Sequence, residues 1–221
     1  MPHAITDIKD PARLRDILTH RFPDAAGPSQ NLSATILTTG TAPFDALFAG
    51  HGLPYGQLIE ITGGVSSGKT SLALKLLAAL TNGHPAIYTD LPRSFFPAAA
   101  VAAGVDLERL WVTIPNTLPD GLRTVELLLS HHLVRGAVLD LVGQKEPPSQ
   151  TLLHRLRQQT ARAKAIVIFL TQTNRARTGH LISPSTVSLR LEVKRLDTAR
   201  SEIMITKSRL CREGIRLEVS L

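Results

Sequence analysis

Nine consecutive residues carry the most specific chemistry in this chain: Gly63, Gly64, Val65, Ser66, Ser67, Gly68, Lys69, Thr70 and Ser71. They fit the phosphate-binding pattern G-x-x-x-x-G-K-[ST] without a mismatch. Each position has a physical reason. Glycines let successive backbone N–H groups turn inward around phosphate oxygens. A helix starting at the end of the loop adds the positive end of its dipole. Lys69 would reach the β- and γ-phosphates of a nucleotide, and the Thr70 hydroxyl would take Mg²⁺. A second acid is needed to hold that ion through water. Asp140, following the apolar run Ala137-Val138-Leu139, is placed for it.

The elements around these residues must then position them. The run QLIEIT (Gln57–Thr62) predicts a strand into the loop, and Gly68–Leu80 predicts a helix out of it. Further on, strands are expected at Pro85–Thr89, Leu110–Ile114, Gly136–Val142 and Ala165–Thr171. Helices are expected between them at Pro97–Ala103, Gly121–His131 and Ser149–Arg162. Before the loop, Thr35–Thr38 suggests a short strand and Pro43–Phe48 a short helix. Leu189–Lys194, Arg200–Thr206 and Ile215–Ser220 suggest closing strands, antiparallel at the sheet edge. Alternation of this kind implies right-handed βαβ units, a mainly parallel central sheet and a three-layer α/β fold. Residues 1–33 are expected to form an N-terminal helical arm (helix over 6–20) and linker, and 34–221 the core domain.

Composition agrees with one α/β domain. Of 221 residues, 43% are hydrophobic and only 4% aromatic, so the core must be Leu, Ile, Val and Ala. The single cysteine, Cys211, can form no internal disulfide. With no leader-like segment and no apolar run long enough for a membrane helix, a cytoplasmic location is expected. The formal net charge is +7, and it is segregated. Residues 151–221 hold fourteen Lys/Arg against five Asp/Glu; residues 1–150 hold eleven against thirteen. A one-sided positive excess suggests a polyanion partner, most naturally nucleic acid. Arg155 and Arg157 on one helix, with Arg175 and Arg177 in a loop, are the candidate DNA contacts. The alternative is an ordinary solvated face. Phe169 is the one aromatic in this third and belongs to a core strand, so base stacking is not expected. The neighbours His131 and His132 point apart on a helix and lack a third ligand, which argues against metal.

The stretch from Ile36 to Leu80, with GHGLPYG and GGVSSGKT, resembles the opening of the RecA recombinase core. Gly104-Val105-Asp106 and Phe169-Leu170-Thr171-Gln172 are similar to later segments of that family. The resemblance implies a RecA-like P-loop fold that binds ATP or another nucleotide with Mg²⁺. It implies that Gln172 senses the nucleotide. It also implies that Lys207 and Arg209 reach across an assembly interface to a neighbour's ATP; contacts to DNA and solvated strand ends are the alternatives. Two features depart from the family. Pro92 falls where the catalytic glutamate stands, which leaves Asp90 as the remaining candidate general base. The loop after Gln172 is short and lacks a long Gly-rich segment.

A RecA core with these departures resembles the ImuA family, RecA-like accessory proteins of bacterial mutagenesis cassettes, sometimes labelled SulA-like. That resemblance implies a role in translesion synthesis within the SOS response, with weak or absent ATP hydrolysis. The implied partners are an ImuB-type inactive Y-family polymerase homologue, an error-prone DNA polymerase, RecA itself and single-stranded DNA. Two other readings stay open: an active DNA-stimulated ATPase and recombinase using Asp90, and a division inhibitor acting by protein contact alone.

Overall fold

The computed structural model describes residues 35–173 and 180–221. The expected helical arm over 6–20 lies outside the described residues. Among the described residues, ten strands and five α-helices follow one another in chain order. The helices are α1 (Ala42–Asp45), α2 (Lys69–Thr81), α3 (Pro97–Ala102), α4 (Leu118–Ser130) and α5 (Gln150–Arg162). Strands β1 (Ile36–Leu37) and β2 (Leu53–Pro54) form a small antiparallel pair. The remaining eight are β3 (Gln57–Gly63), β4 (Ala86–Asp90), β5 (Leu110–Thr113), β6 (Gly136–Asp140), β7 (Ile166–Gln172), β8 (Leu189–Arg195), β9 (Arg200–Ser208) and β10 (Arg216–Ser220). They make one sheet in the order β10-β9-β8-β3-β7-β6-β4-β5.

The central strands are apolar because both of their faces are covered. Every residue of β4 and β6 is buried, and β7 is buried from Ile166 to Thr171. Alternate residues divide between two cores, as a strand's two-residue period requires. On one face, Ile59, Ile61, Tyr88 and Ile168 pack with Leu72, Leu76 and Leu80 of α2. On the other, Leu58, Ile87 and Phe169 pack with Val125 and Leu129 of α4 and Leu153 and Leu156 of α5. This is a three-layer α/β fold with a mainly parallel sheet.

Three local expectations are revised. Helix α4 begins at Leu118, three residues before the expected Gly121. Thr117 caps it by accepting from the Asp120 amide at 3.3 Å, and Pro119 in the first turn lacks the N–H that would go unused there. Strand β8 is parallel to β3, and in the large sheet β9 runs the opposite way, antiparallel to β8 on one side and to β10 on the other. The strand β2 that partners β1 is too short and too proline-marked to stand out as a strand in the sequence. The neighbouring turn is locked by the buried Asp45 carboxylate, which accepts from the Thr39 amide at 3.0 Å and the Thr39 hydroxyl at 2.8 Å.

Strand β3 sits at the switch point of the sheet. From it the chain passes over two strand positions to β4 and on to β5 at the edge, returns through β6 to β7 beside β3, and finally crosses β3 to β8 on its other side. Ligands of doubly wound sheets bind outside the strand C-termini at such a point. The phosphate loop lies there.

Candidate nucleotide site

Residues Gly63 to Gly68 form a loop from the C-terminal end of β3 to the first turn of α2. Two glycines are required there for different reasons. A Cβ on Gly63 would lie 2.5 Å from both Ser67 Oγ and the Val193 carbonyl, so the loop can close against β8 only without one. Gly68 has φ of 94°, in the left-handed region that favours glycine. Gly64, by contrast, faces open space at the loop's outer rim. Ser66 also adopts a left-handed conformation, with φ of 55°.

Lys69 is buried, and its ammonium donates to the Gly64 carbonyl at 3.0 Å, folded back across the loop. Burial holds its pKa below the usual lysine range, and the Asp140 carboxylate opposes part of that shift. Thr70 and the loop residues Gly64, Val65 and Ser66 are exposed, while Ser71 is half-buried. A preformed loop, a lysine able to swing from a carbonyl to a phosphate, and an exposed threonine hydroxyl fit a magnesium nucleotide.

Asp140 ends β6 with both oxygens engaged. Oδ2 accepts from the Tyr88 hydroxyl at 2.8 Å and Oδ1 from the Val142 amide at 3.1 Å. Burial raises its pKa above the usual aspartate value, and the nearby Asp90 adds to this. The hydrogen bonds from Tyr88 and Val142 and the charge of Lys69 pull the other way. Tyr88 is the residue that sequence reasoning missed. Burial and Asp140 push its phenol far above its ordinary range, so it stays a hydrogen-bond donor. The only sequence signal for it is a polar-tipped aromatic in an otherwise apolar strand.

Asp90 stands beside Asp140 in register on the adjacent strand. Its oxygens accept from the backbone amides of Ser94, at 3.0 Å, and Phe95, at 2.8 Å. The carboxylate thus closes the turn that contains Pro92, where Arg93 takes a φ of 59°. Both carboxylate oxygens are thus committed to backbone amides.

Gln172 ends β7 directly opposite Gly63 in the parallel register, and it is exposed. The Thr173 amide donates to the Gly63 carbonyl at 3.1 Å, which ties the start of the following loop to the phosphate loop. Arg175 and Arg177 lie outside the described residues. Beneath, a buried network joins three strands. Glu60 of β3 accepts from Thr171 Oγ1 at 2.7 Å and from Arg190 Nε at 2.5 Å, and Arg190 Nη2 donates to the Ile182 carbonyl at 2.7 Å.

Other candidates sit elsewhere. Ser201 abuts the phosphate loop, and β9 runs away from it, so Lys207 is about 20 Å further along the strand. Lys207 donates to the Val187 carbonyl and Arg209 to the Ser185 carbonyl at 2.8 Å. Neither reaches this chain's own loop. Arg155 is paired with Glu126 of α4 at 2.8 Å, which leaves its charge partly compensated, and Arg157 is half-buried on α5.

With this geometry in place, similarity to known proteins becomes informative. The RecA N-terminal domain family matches residues 25–152. Protein RecA of Symbiobacterium thermophilum is 30% identical over 208 residues, covering 80% of this chain and 59% of that protein. Protein RecA of Rhodopirellula baltica is 29% identical over 204 residues, covering 79% and 54%. The chain therefore spans a little over half the length of these relatives. Among solved structures, that of the RadB recombinase superposes with a TM-score of 0.66 at 21% identity, covering 83% of this chain and 95% of that one. The likeness in fold is thus matched by a family signature over more than half of the sequence, the phosphate loop included. This chain belongs to the RecA N-terminal domain family.

Proposed function

We propose that this protein binds a magnesium nucleotide at Gly63–Ser71 and serves as a RecA-like accessory protein in DNA repair, holding ATP rather than turning it over quickly. One observation carries this reading. The groups for binding are assembled, whereas Asp90, the candidate base, has its oxygens engaged by the Ser94 and Phe95 amides. Bound Mg²⁺ would neutralise charge on the phosphates. Lys69 would leave the Gly64 carbonyl for a phosphate oxygen, Thr70 would supply a hydroxyl to the ion, and Asp140 would hold its water shell. Gln172, opposite Gly63, would register the occupant.

On the resemblance to ImuA, the finer role is an adaptor in SOS-induced translesion synthesis. It would meet an ImuB-type polymerase homologue, an error-prone polymerase and RecA, with single-stranded DNA as a further ligand. The positive excess of residues 151–221 supports a polyanion contact. The alternative is a DNA-stimulated ATPase and recombinase, favoured by the similarity to proteins named RecA.

ATP turnover and nucleotide binding by the purified chain, with and without single-stranded DNA and beside Lys69→Ala, separate the two. Binding that Lys69→Ala abolishes, with turnover no faster than that variant's, is the expected result. Strong DNA-stimulated turnover would overturn the accessory reading.

A further inference from the structure

The side of the phosphate loop turned toward β8 and β9 carries an arginine that forms no ion pair among the described residues. Arg195 closes β8 and pairs in register with Ser201 of β9. Its Nε donates to the Ser66 carbonyl at 3.4 Å, and Ser201 Oγ donates to the Ser67 carbonyl at 3.3 Å. A Cβ on Gly68 would lie 2.7 Å from Ser201 Oγ and 3.5 Å from Arg195 Nη2, so the guanidinium lies directly against the loop. Its Nη1 is buried without a hydrogen-bond partner.

Those facts run against the usual behaviour of arginine. Arg195 is half-buried, and it is Nη1 that is removed from water; buried N–H groups are normally satisfied. The guanidinium keeps a full charge against a loop whose sequence is built for a polyanion. It also bonds the carbonyl of Ser66, the non-glycine residue held at a φ of 55°. A carbonyl bonded from one side polarises its peptide group, which makes the N–H on the opposite side a better donor. The contact and the charge therefore act in the same direction.

We propose that Arg195 is a positioning residue of the phosphate loop: it holds the left-handed turn at Ser66 from behind and lends its positive charge to phosphate binding. Ser201 assists through the Ser67 carbonyl. The proposal rests on the nucleotide-binding reading above.

The test uses the full chain and a fluorescent ADP analogue with Mg²⁺, titrated at low and high salt. Arg195→Ala, Arg195→Lys and Ser201→Ala are compared with the unmodified protein. A charge of this kind, partly screened, is expected to matter by about tenfold in affinity, so Arg195→Ala weakens binding by about that factor. Arg195→Lys, which keeps the charge, loses about threefold or less, and Ser201→Ala loses about threefold. The salt dependence of binding falls in Arg195→Ala and persists in Arg195→Lys. Hydrogen exchange without nucleotide shows faster exchange at residues 64–69 in Arg195→Ala. Affinity within twofold of the unmodified protein in Arg195→Ala overturns the proposal. So does an equal loss in the Ala and Lys variants with unchanged salt dependence, which marks a packing role only. If the unmodified protein binds no nucleotide, the binding reading fails, and the exchange comparison still decides whether Arg195 holds the loop.

Discussion

Replacing Glu60 by leucine should cost this protein a large part of its stability, and replacing Arg190 as well should restore much of it. Both side chains are buried, and both are bonded in more than one direction. Without Glu60, Arg190 is a buried cation left with a single carbonyl, a loss of about 3–5 kcal/mol for breaking such a pair from one side. The Thr171 hydroxyl loses its acceptor as well, at about 1 kcal/mol. The total, about 4–6 kcal/mol, is a large fraction of the roughly 5–15 kcal/mol typical of a folded domain. In the double variant Glu60→Leu/Arg190→Met no charge is stranded. The Ile182 carbonyl and the Thr171 hydroxyl then go unanswered, at about 1–3 kcal/mol. Urea unfolding followed by circular dichroism, on both single variants and the double, closes the cycle. Single-variant losses below about 1 kcal/mol, or a double-variant loss equal to the sum of the singles, would refute the reasoning.

Other expectations follow from the site and its supports. Gly63→Ala should abolish nucleotide binding because its Cβ collides with Ser67 and the Val193 carbonyl, whereas Gly64→Ala should bind within about threefold of the unmodified protein, since open space surrounds it; fluorescence titration distinguishes them. Asp140→Asn should raise the melting temperature of the ligand-free protein while removing Mg²⁺-dependent binding. The folded-state pKa of Asp140 lies above its unfolded value, so its ionised form destabilises the fold at neutral pH. That cost fades as pH falls through the folded pKa toward the ordinary aspartate range, and the advantage of Asp140→Asn should shrink with it; melting curves from pH 7 to pH 4 report this. Thr117→Ala should cost about 1 kcal/mol by uncapping α4, measured by urea unfolding.

Much of this architecture is written in local pattern. The strands β6 and β7 are built on the apolar runs 137–139 and 166–170, and the phosphate loop is fixed by spacing alone. What escaped was decided by partners distant in sequence. Nothing near Tyr88 announces a hydrogen bond to a residue 52 positions on. Asp90 is a plausible base by position, yet the turn after it uses its oxygens for backbone amides. Arg155 reads as one charge among several in a basic segment, and only the packing of α4 on α5 brings Glu126 to it. Likewise, the direction of β8 depends on a crossing that local periodicity does not encode.

The central place of β3 also bears on the order in which the protein can be made. Its hydrogen-bonded neighbours, β7 and β8, follow it by more than 100 residues in the chain. The nine-residue motif leaves the ribosome well before the strands that brace it. Contacts of such long separation form late, because a large loop of chain must first be closed. During synthesis the β3–α2 unit therefore waits with both edges of β3 bare until β7 is made, and a nascent chain paused before Leu189 carries an intact motif whose β8 side is still open. Nucleotide capture then waits on the synthesis of β7 and β8, and a chain that lacks them is a poor competitor for ATP.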